Sequence, residues 1–195
     1  MIRSASTKDI NAIVELHCRV LFWSINGRLG SDHVRKMYTA LVGHSDSVAF
    51  VALKKERVIG FLIATTSYEK ARARMHASIG LVGMFRILWG ALFHPLDWVD
   101  LIESATLVPL AMRKSGFTAE LLAWVTDPKE VLGRVAAVKC MSRTLAELND
   151  RGHQKCFAQI LRSNREPNKF HERMGNKVIA SFIRNKVYLI NCSRR

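Results

Sequence analysis

Glu120 is the side chain whose surroundings are hardest to reconcile with a passive role. It lies in the stretch AELLAWV (119–125), which is otherwise apolar. A carboxylate moved from water into such a run costs free energy unless it is paired or functional. Held there, it is a candidate general base; at the start of a strand it can equally face solvent. His171, in NKFHE (168–172), is the second candidate, since an imidazole gives a proton or a hydrogen bond near neutral pH. Its alternative is an exposed histidine on a short helix. A third candidate is the stretch Gly133-Arg134-Val135-Ala136-Ala137, where a helix begins after Pro128. Free N–H groups at a helix start bind phosphate, and Arg134 and Lys139 would add charge. The alternative for those two cations is a solvated helical face.

Other chemistry finds no pattern. Cys18, Cys140, Cys156 and Cys192 have no CxxC or other metal-ligand spacing and read as thiols of a reducing compartment. His17, His33, His44, His76, His94 and His153 have no metal spacing either and read as surface or packing residues, so no metal is expected. Serine, histidine and aspartate are present without the G-x-S-x-G elbow of a hydrolase.

The elements that must position these residues follow from periodicity. Residues 2–5 read as a short strand, and Ser6 or Thr7 can cap a helix carrying Ile10, Ile13, Val14 and Val20. A second helix follows Gly30, with Ser31 as its cap and Val34, Met37, Tyr38 and Leu41 on one face. Runs 48–53 and 58–65 pair as a hairpin around the polar turn 54–57. Residues 118–125 form a strand stopped by Asp127-Pro128, then come a helix over 134–149, a strand over 156–161 and a short helix over 167–174. A last hairpin, 178–184 with 187–191, turns at Asn185-Lys186.

Residues 67–116 interrupt this order. A basic stretch, 68–75, precedes an apolar one, 79–93, that contains Arg86 and ends at His94-Pro95. A further apolar-rich stretch runs to 112. The apolar run is shorter than the roughly 20 residues that cross a bilayer. A helix pair covering a substrate cleft is the first reading, and peripheral membrane contact through 79–112 is the second. Trp89 and Trp98 read as packing residues of this pair, or as contacts to an acyl chain or lipid.

With 195 residues, 49% hydrophobic and 24% charged, the chain suits a single folded domain over 1–195 and excludes a disordered one. Its net charge is +14. Residues 129–195 hold 15 basic and 5 acidic side chains, so the surface that would meet an anion lies mostly in the last third. The charge is scattered without aromatic interleaving, and no RNA- or DNA-binding motif is present, so nucleic acid is not expected as a partner. The N-terminus turns polar at once, with no signal-peptide core, which points to a cytoplasmic protein or one at the membrane periphery.

Taken in order, several stretches resemble the GNAT superfamily of acyl-CoA-dependent N-acetyltransferases. IRSASTKDINAIVELH (2–17) is similar to its first strand and helix. VAFVALKKERVIGFLIATTS (48–67) resembles its second and third strands, and AELLAWVTDP (119–128) its fourth strand with the following proline. SNREPNKFHERMG (163–175) resembles the "N…a…fYek.GF" signature after the fifth strand. The segment LFWSINGRLGSDHVRKMYTAL (21–41), together with the insertion, is most like members from surface-polysaccharide and lipid-linked pathways.

The resemblance implies an α/β fold with a central mixed, mostly antiparallel sheet of about seven strands flanked by helices, carrying a helical insertion. It implies acetyl-CoA or another acyl-CoA as co-substrate, held by Ala123, Trp124 and Val125 of the fourth strand, by Gly133, Arg134, Val135, Ala136 and Ala137, and by Asn164 and Phe170. Glu120 falls where some members place the general base that deprotonates the amine. His171 stands where many place the tyrosine that serves the leaving thiolate. The sequence departs from the family in two places. VLGRVAAVK keeps one glycine of the Q/R-x-x-G-x-G/A loop, and Phe170-His171 replaces Phe-Tyr. The implied reaction is direct attack of a primary amine, such as an amino sugar or amino acid, on the acyl thioester. A longer acyl chain delivered by an acyl carrier protein and a non-catalytic binding module are the alternatives, and a homodimer is left open.

Overall fold

β-Branched and apolar residues alternate through Ser47–Lys54 (β2) and Arg57–Thr65 (β3), and the two strands pair antiparallel as expected. Their turn is tight: Lys55 and Glu56 both take positive φ, the geometry that matches the twist of a two-residue hairpin. The computed structural model of the chain describes residues 1–193. Before the hairpin come Ile2–Ser4 (β1), Ile10–Val20 (α1), Ile25–Arg28 (α2) and Ser31–Thr39 (α3). After it come Tyr68–Leu92 (α4), Pro95–Ile102 (α5), a π-helical stretch Glu103–Leu107, and Val108–Ser115 (α6). The chain ends with Glu120–Thr126 (β4), Gly133–Asp150 (α7), Lys155–Leu161 (β5), Arg165–Arg173 (α8), Lys177–Ser181 (β6) and Asn185–Asn191 (β7).

The strands form one seven-stranded sheet in the order β1-β2-β3-β4-β5-β7-β6. Every pair is antiparallel except β4 with β5. Alternating side chains serve two cores. Val51, Phe61, Ile63 and Val125 pack under α1 and α3, while Phe50, Leu62 and Leu121 pack under α7.

Two irregularities open the sheet in its middle. On β4, Ile63 pairs with Ala123 and Ala64 with Leu121, so Leu122 is the extra residue of a bulge. The parallel pairing of β4 with β5 is also brief. Only Glu120 with Phe157 and Leu121 with Ala158 are in register, after which the strands part.

Two expectations are corrected. Gly30, at φ 91°, takes the N-cap position of α3, and Ser31 is the first helical residue. Asn185 and Lys186 are not a turn but the first residues of β7, paired with Leu161 and Ile160. The reason is Glu103. Its carboxylate accepts from the Arg184 N–H at 3.0 Å, the Asn185 N–H at 3.0 Å and the Asn185 side-chain amide at 2.9 Å, which fixes the turn one step earlier. Residues 68–92 run as two helical pieces that meet at Gly80, where φ is 65°, so the basic stretch lies before the break and nearly all of the apolar one after it.

Candidate active site

A cavity of about 710 Å³ lies where β4 and β5 part. Its wall is assembled from distant parts of the chain. His17 comes from α1, Tyr68 and Arg72 from α4, Glu120 from β4, Gln159 from β5 and His171 from α8. The inner sides of α4 and α5 cover it with Ile87, Leu88 and Trp98. The insertion therefore supplies one wall.

Glu120 is buried, and its Oε2 meets no hydrogen-bond partner. Burial pushes its pKa up to about 8, with the Arg72 guanidinium pulling weakly the other way. Arg72 does not bond to it. Its guanidinium donates to the Tyr68 hydroxyl at 2.5 Å and to the Ser104 carbonyl at 2.7 Å, while Gln159 donates to the Ser104 hydroxyl at 2.6 Å. The solvent-facing alternative for Glu120 is thus overturned by geometry. A carboxylate with a pKa near 8 is about half ionised there and can accept a proton from a neighbouring group.

His171 is 1% exposed and stacks on Tyr188 at 5.0 Å, with Trp124 and Phe170 edge-on. The exposed-histidine alternative is therefore corrected as well. Burial lowers its pKa to about 4, so at neutral pH the ring is uncharged. The Asn176 side-chain amide donates to Nδ1 at 2.9 Å, which assigns the ring hydrogen to Nε2. His171 can thus donate a hydrogen bond, but it is no imidazolium acid at pH 7.

The other residues expected at the site divide. Ala123, Trp124 and Asn164 line the cavity. Trp124 keeps a buried indole N–H with no partner, and Phe170 packs on it at 4.8 Å. The side chains of Val125 and Ala136 are buried in the two cores, so only their backbone is left for a ligand. Gly133, Arg134, Val135 and Ala137 do not reach the cavity and sit in the first turn of α7, beyond the end of β4. Arg134 and Val135 are exposed there. Gly133 is held close to β4: a Cβ on it would lie 2.8 Å from the Asp127 carbonyl oxygen. The loop is further braced by Asp127, which pairs with Arg19 at 2.8 Å, and by Glu130, which pairs with Lys54 at 2.8 Å and with Arg57.

His17 packs against Tyr38 as a core histidine and also lines the cavity. Its Nδ1 lies 2.7 Å from the Tyr38 hydroxyl, and its Nε2 is buried without a partner. Burial lowers its pKa to about 4. Tyr68, Arg72 and Gln159 line the cavity too, from elements whose sequence spacing does not connect them. Among the described residues, His17, Glu120 and Trp124 each bring an unsatisfied buried polar atom to this one cavity. Such atoms are rare in folded proteins, which sets these three residues of the cavity wall apart from ordinary packing. No group of three or more metal-ligating side chains occurs among the described residues.

The whole arrangement is similar to solved structures. An N-acetyltransferase from Staphylococcus aureus superposes with a TM-score of 0.63 at 15% identity, over 99% of this chain and 98% of that one. An agmatine N-acetyltransferase gives 0.65 at 16% identity, over 98% of each chain. An N-acetyltransferase from Thermoplasma acidophilum, solved in complex with coenzyme A, gives 0.52 at 13% identity, over 98% of each. The chain has the GNAT fold. No protein-family model and no curated protein sequence matches it. The parting of β4 and β5 lies in the middle of the sheet and borders the cavity.

Proposed function

We propose that this protein is an N-acyltransferase in which a primary amine attacks the thioester of an acyl-CoA directly. The observation that carries the reading is Glu120: a buried, unpaired carboxylate facing a cavity at the parting of β4 and β5. Glu120 takes the proton that the ammonium group must lose. The amine nitrogen then bonds to the acyl carbon, the carbon–sulfur bond breaks, and the further proton that the nitrogen sheds in becoming an amide neutralises the thiolate, which leaves toward the Nε2–H of His171. Acyl-CoA is the donor substrate. Trp124, Asn164 and the parted strand edges suit its pantetheine arm, and the start of α7 suits its phosphates. The Thermoplasma structure of the same fold in complex with coenzyme A supports that choice.

Residues 67–116 enclose the acceptor. The apolar share of their wall, with Met84, Ile87 and Trp98, favours an amine carried on an apolar body over a bare polar one. A second reading, an acyl carrier protein as donor, draws on Val131, Leu132, Val135 and Val138. All four are exposed beside Arg134 and Lys139, an apolar and basic face of the kind an acidic carrier would cover.

Thermal melting with CoA, acetyl-CoA and a long-chain acyl-CoA tests the reading. A ligand at 100 times its Kd adds about 2.7 kcal/mol, or roughly 5–10 °C. A shift with one thioester identifies the donor class and opens an acceptor screen read by free-thiol release. A shift with acylated carrier protein alone selects the second reading. No shift with any donor overturns both.

A further inference from the structure

α4 consists of two halves with opposite attachments. Before the break at Gly80 it is fastened to the body of the protein. Arg72 donates to the Ser104 carbonyl at 2.7 Å, Arg74 donates to the Ala40 carbonyl at 3.0 Å and pairs with Asp46, and the Ser78 hydroxyl donates to the Lys36 carbonyl at 2.8 Å. Beyond Gly80 the helix shows its apolar side chains to the outside. Leu81, Val82, Phe85, Trp89, Phe93 and Leu96 are between 56% and 89% exposed. Phe85, Trp89 and Phe93 form a ladder along the outer face, with ring centroids 6.0 and 6.3 Å apart.

The acids of the same segment point the other way. Asp97 pairs with Arg28, Asp100 accepts from the Asn185 amide at 2.6 Å, and Glu103 is the buried clamp on the turn before β7. These are the three carboxylates of residues 79–112. The outer face is left with Arg86 as its charge. Arg86 and Lys36 both lie close enough to His33 to help hold its pKa down, so two cations flank the apolar face. A helix made for water buries its apolar side and exposes its acids. Over residues 81–103 the arrangement is reversed, with large apolar side chains facing out and the three acids held against the protein, and a contiguous exposed apolar face of this kind marks an interaction site.

We propose that the outer face of residues 81–96 docks on the surface of a bilayer containing anionic lipids, lying in the boundary between headgroups and acyl chains. α4 is, by length and composition, the one described helix that could cross a membrane, and 6% of its most apolar stretch is buried. Crossing is excluded by the break and the fastenings. The 12 residues from Leu81 to Leu92 fall short of the roughly 20 a crossing helix needs, and the half before Gly80 carries Lys70, Arg72 and Arg74. Lying flat needs only an apolar face with cations at its rim. Charge selects lipid over a second copy of the chain. Two copies joined across this face would bring Arg86, Lys36 and two net charges of +14 together, whereas anionic headgroups complement them. The inner side of the same helix, through Met84, Ile87 and Leu88, walls the cavity. Docking therefore sets the active site at the lipid boundary.

Co-sedimentation with vesicles tests this, using phosphatidylcholine alone and an equal mixture of phosphatidylcholine and phosphatidylglycerol. The wild type is compared with the double variant Phe85→Ser/Trp89→Ser, whose positions are exposed and outside the cavity wall. Melting curves check that the variant is folded. The expected result is binding to the mixed vesicles, weakened at least about tenfold in the variant and by omission of phosphatidylglycerol. Three results overturn the proposal. One is no binding to either vesicle. Another is binding that the variant or the lipid composition leaves unchanged. The third is self-association of the wild type in sedimentation velocity that the variant abolishes, which would assign the face to a second copy.

Discussion

Arg72 approaches Glu120 without pairing with it. The guanidinium is held by the Tyr68 hydroxyl and the Ser104 carbonyl, and the carboxylate, in the cavity wall, is left with a buried oxygen that has no partner. A salt bridge would have fixed Glu120 as a carboxylate well below neutral pH. Withheld, the cation tempers the desolvation and leaves a pKa near 8, where the group can still exchange a proton.

The first prediction concerns activity. A base must be ionised to work, so kcat/KM rises with pH and levels off above a midpoint near 8. Glu120→Gln lowers the rate by about 10²–10⁴-fold and removes that limb. A variant that keeps both the rate and the midpoint would remove Glu120 from the mechanism.

Arg72 sets where the midpoint falls. Its charge favours the ionised form of Glu120, so Arg72→Gln moves the midpoint upward and lowers activity at pH 7 more than at pH 9. A purely structural role for Arg72 would depress the rate evenly across the profile. The pH–rate curves of the two proteins separate these outcomes.

Stability of the unliganded protein should carry the same signature. With a folded pKa raised to about 8 from an ordinary 4.5, Glu120 keeps a proton that the unfolded chain releases, so its contribution falls as pH rises between those values. His17 and His171, lowered from 6.5 to about 4, act oppositely below 6.5. The clean window is thus pH 6.5 to 8. There the wild type loses stability, and Glu120→Gln loses less and melts higher at pH 8. Denaturant melts of both proteins across that window check it.

How much of this could be read in advance depends on how local each cause is. The strand-rich hairpin, the fourth strand and the order of elements carry their patterns within a few residues, and all stand in the structure. Glu120 was conspicuous because its neighbours in sequence are apolar. The ionisation of His171 was not, because Trp124 and Tyr188, which help desolvate it, belong to two other strands. His17, Arg72 and Gln159 reach the cavity from three separate elements and share no spacing. The outward face of α4 was equally hidden, since hydropathy marks a helix as apolar without saying which side the protein covers.

Glu103 is the clearest long-range contact that no pattern announces. It sits in a π-helical stretch and receives two backbone N–H groups and the Asn185 amide, tying the insertion to the turn before β7. Glu103→Ala leaves those donors buried without an acceptor and should cost about 1–3 kcal/mol, a fall of roughly 2–12 °C in Tm. Glu103→Gln keeps one acceptor oxygen and should recover part of the loss. A melt unchanged in both would show that the turn stands without the insertion.

Two glycines in helices make a paired test of close approach. At Gly133 a Cβ would meet the Asp127 carbonyl at 2.8 Å, a backbone atom whose residue is anchored by Arg19 and by the Lys129 N–H at 3.1 Å. The loop cannot yield without breaking those contacts, so Gly133→Ala should cost about 1–3 kcal/mol. It should also reduce the melting shift produced by CoA, because the first turn of α7 must move. Gly90 has nothing within 4 Å of its added Cβ. Gly90→Ala should therefore stabilise the helix by about 0.5–1 kcal/mol. If both substitutions shifted the melt in the same direction, the tight packing of α7 against the end of β4 would not be what the glycine at 133 serves.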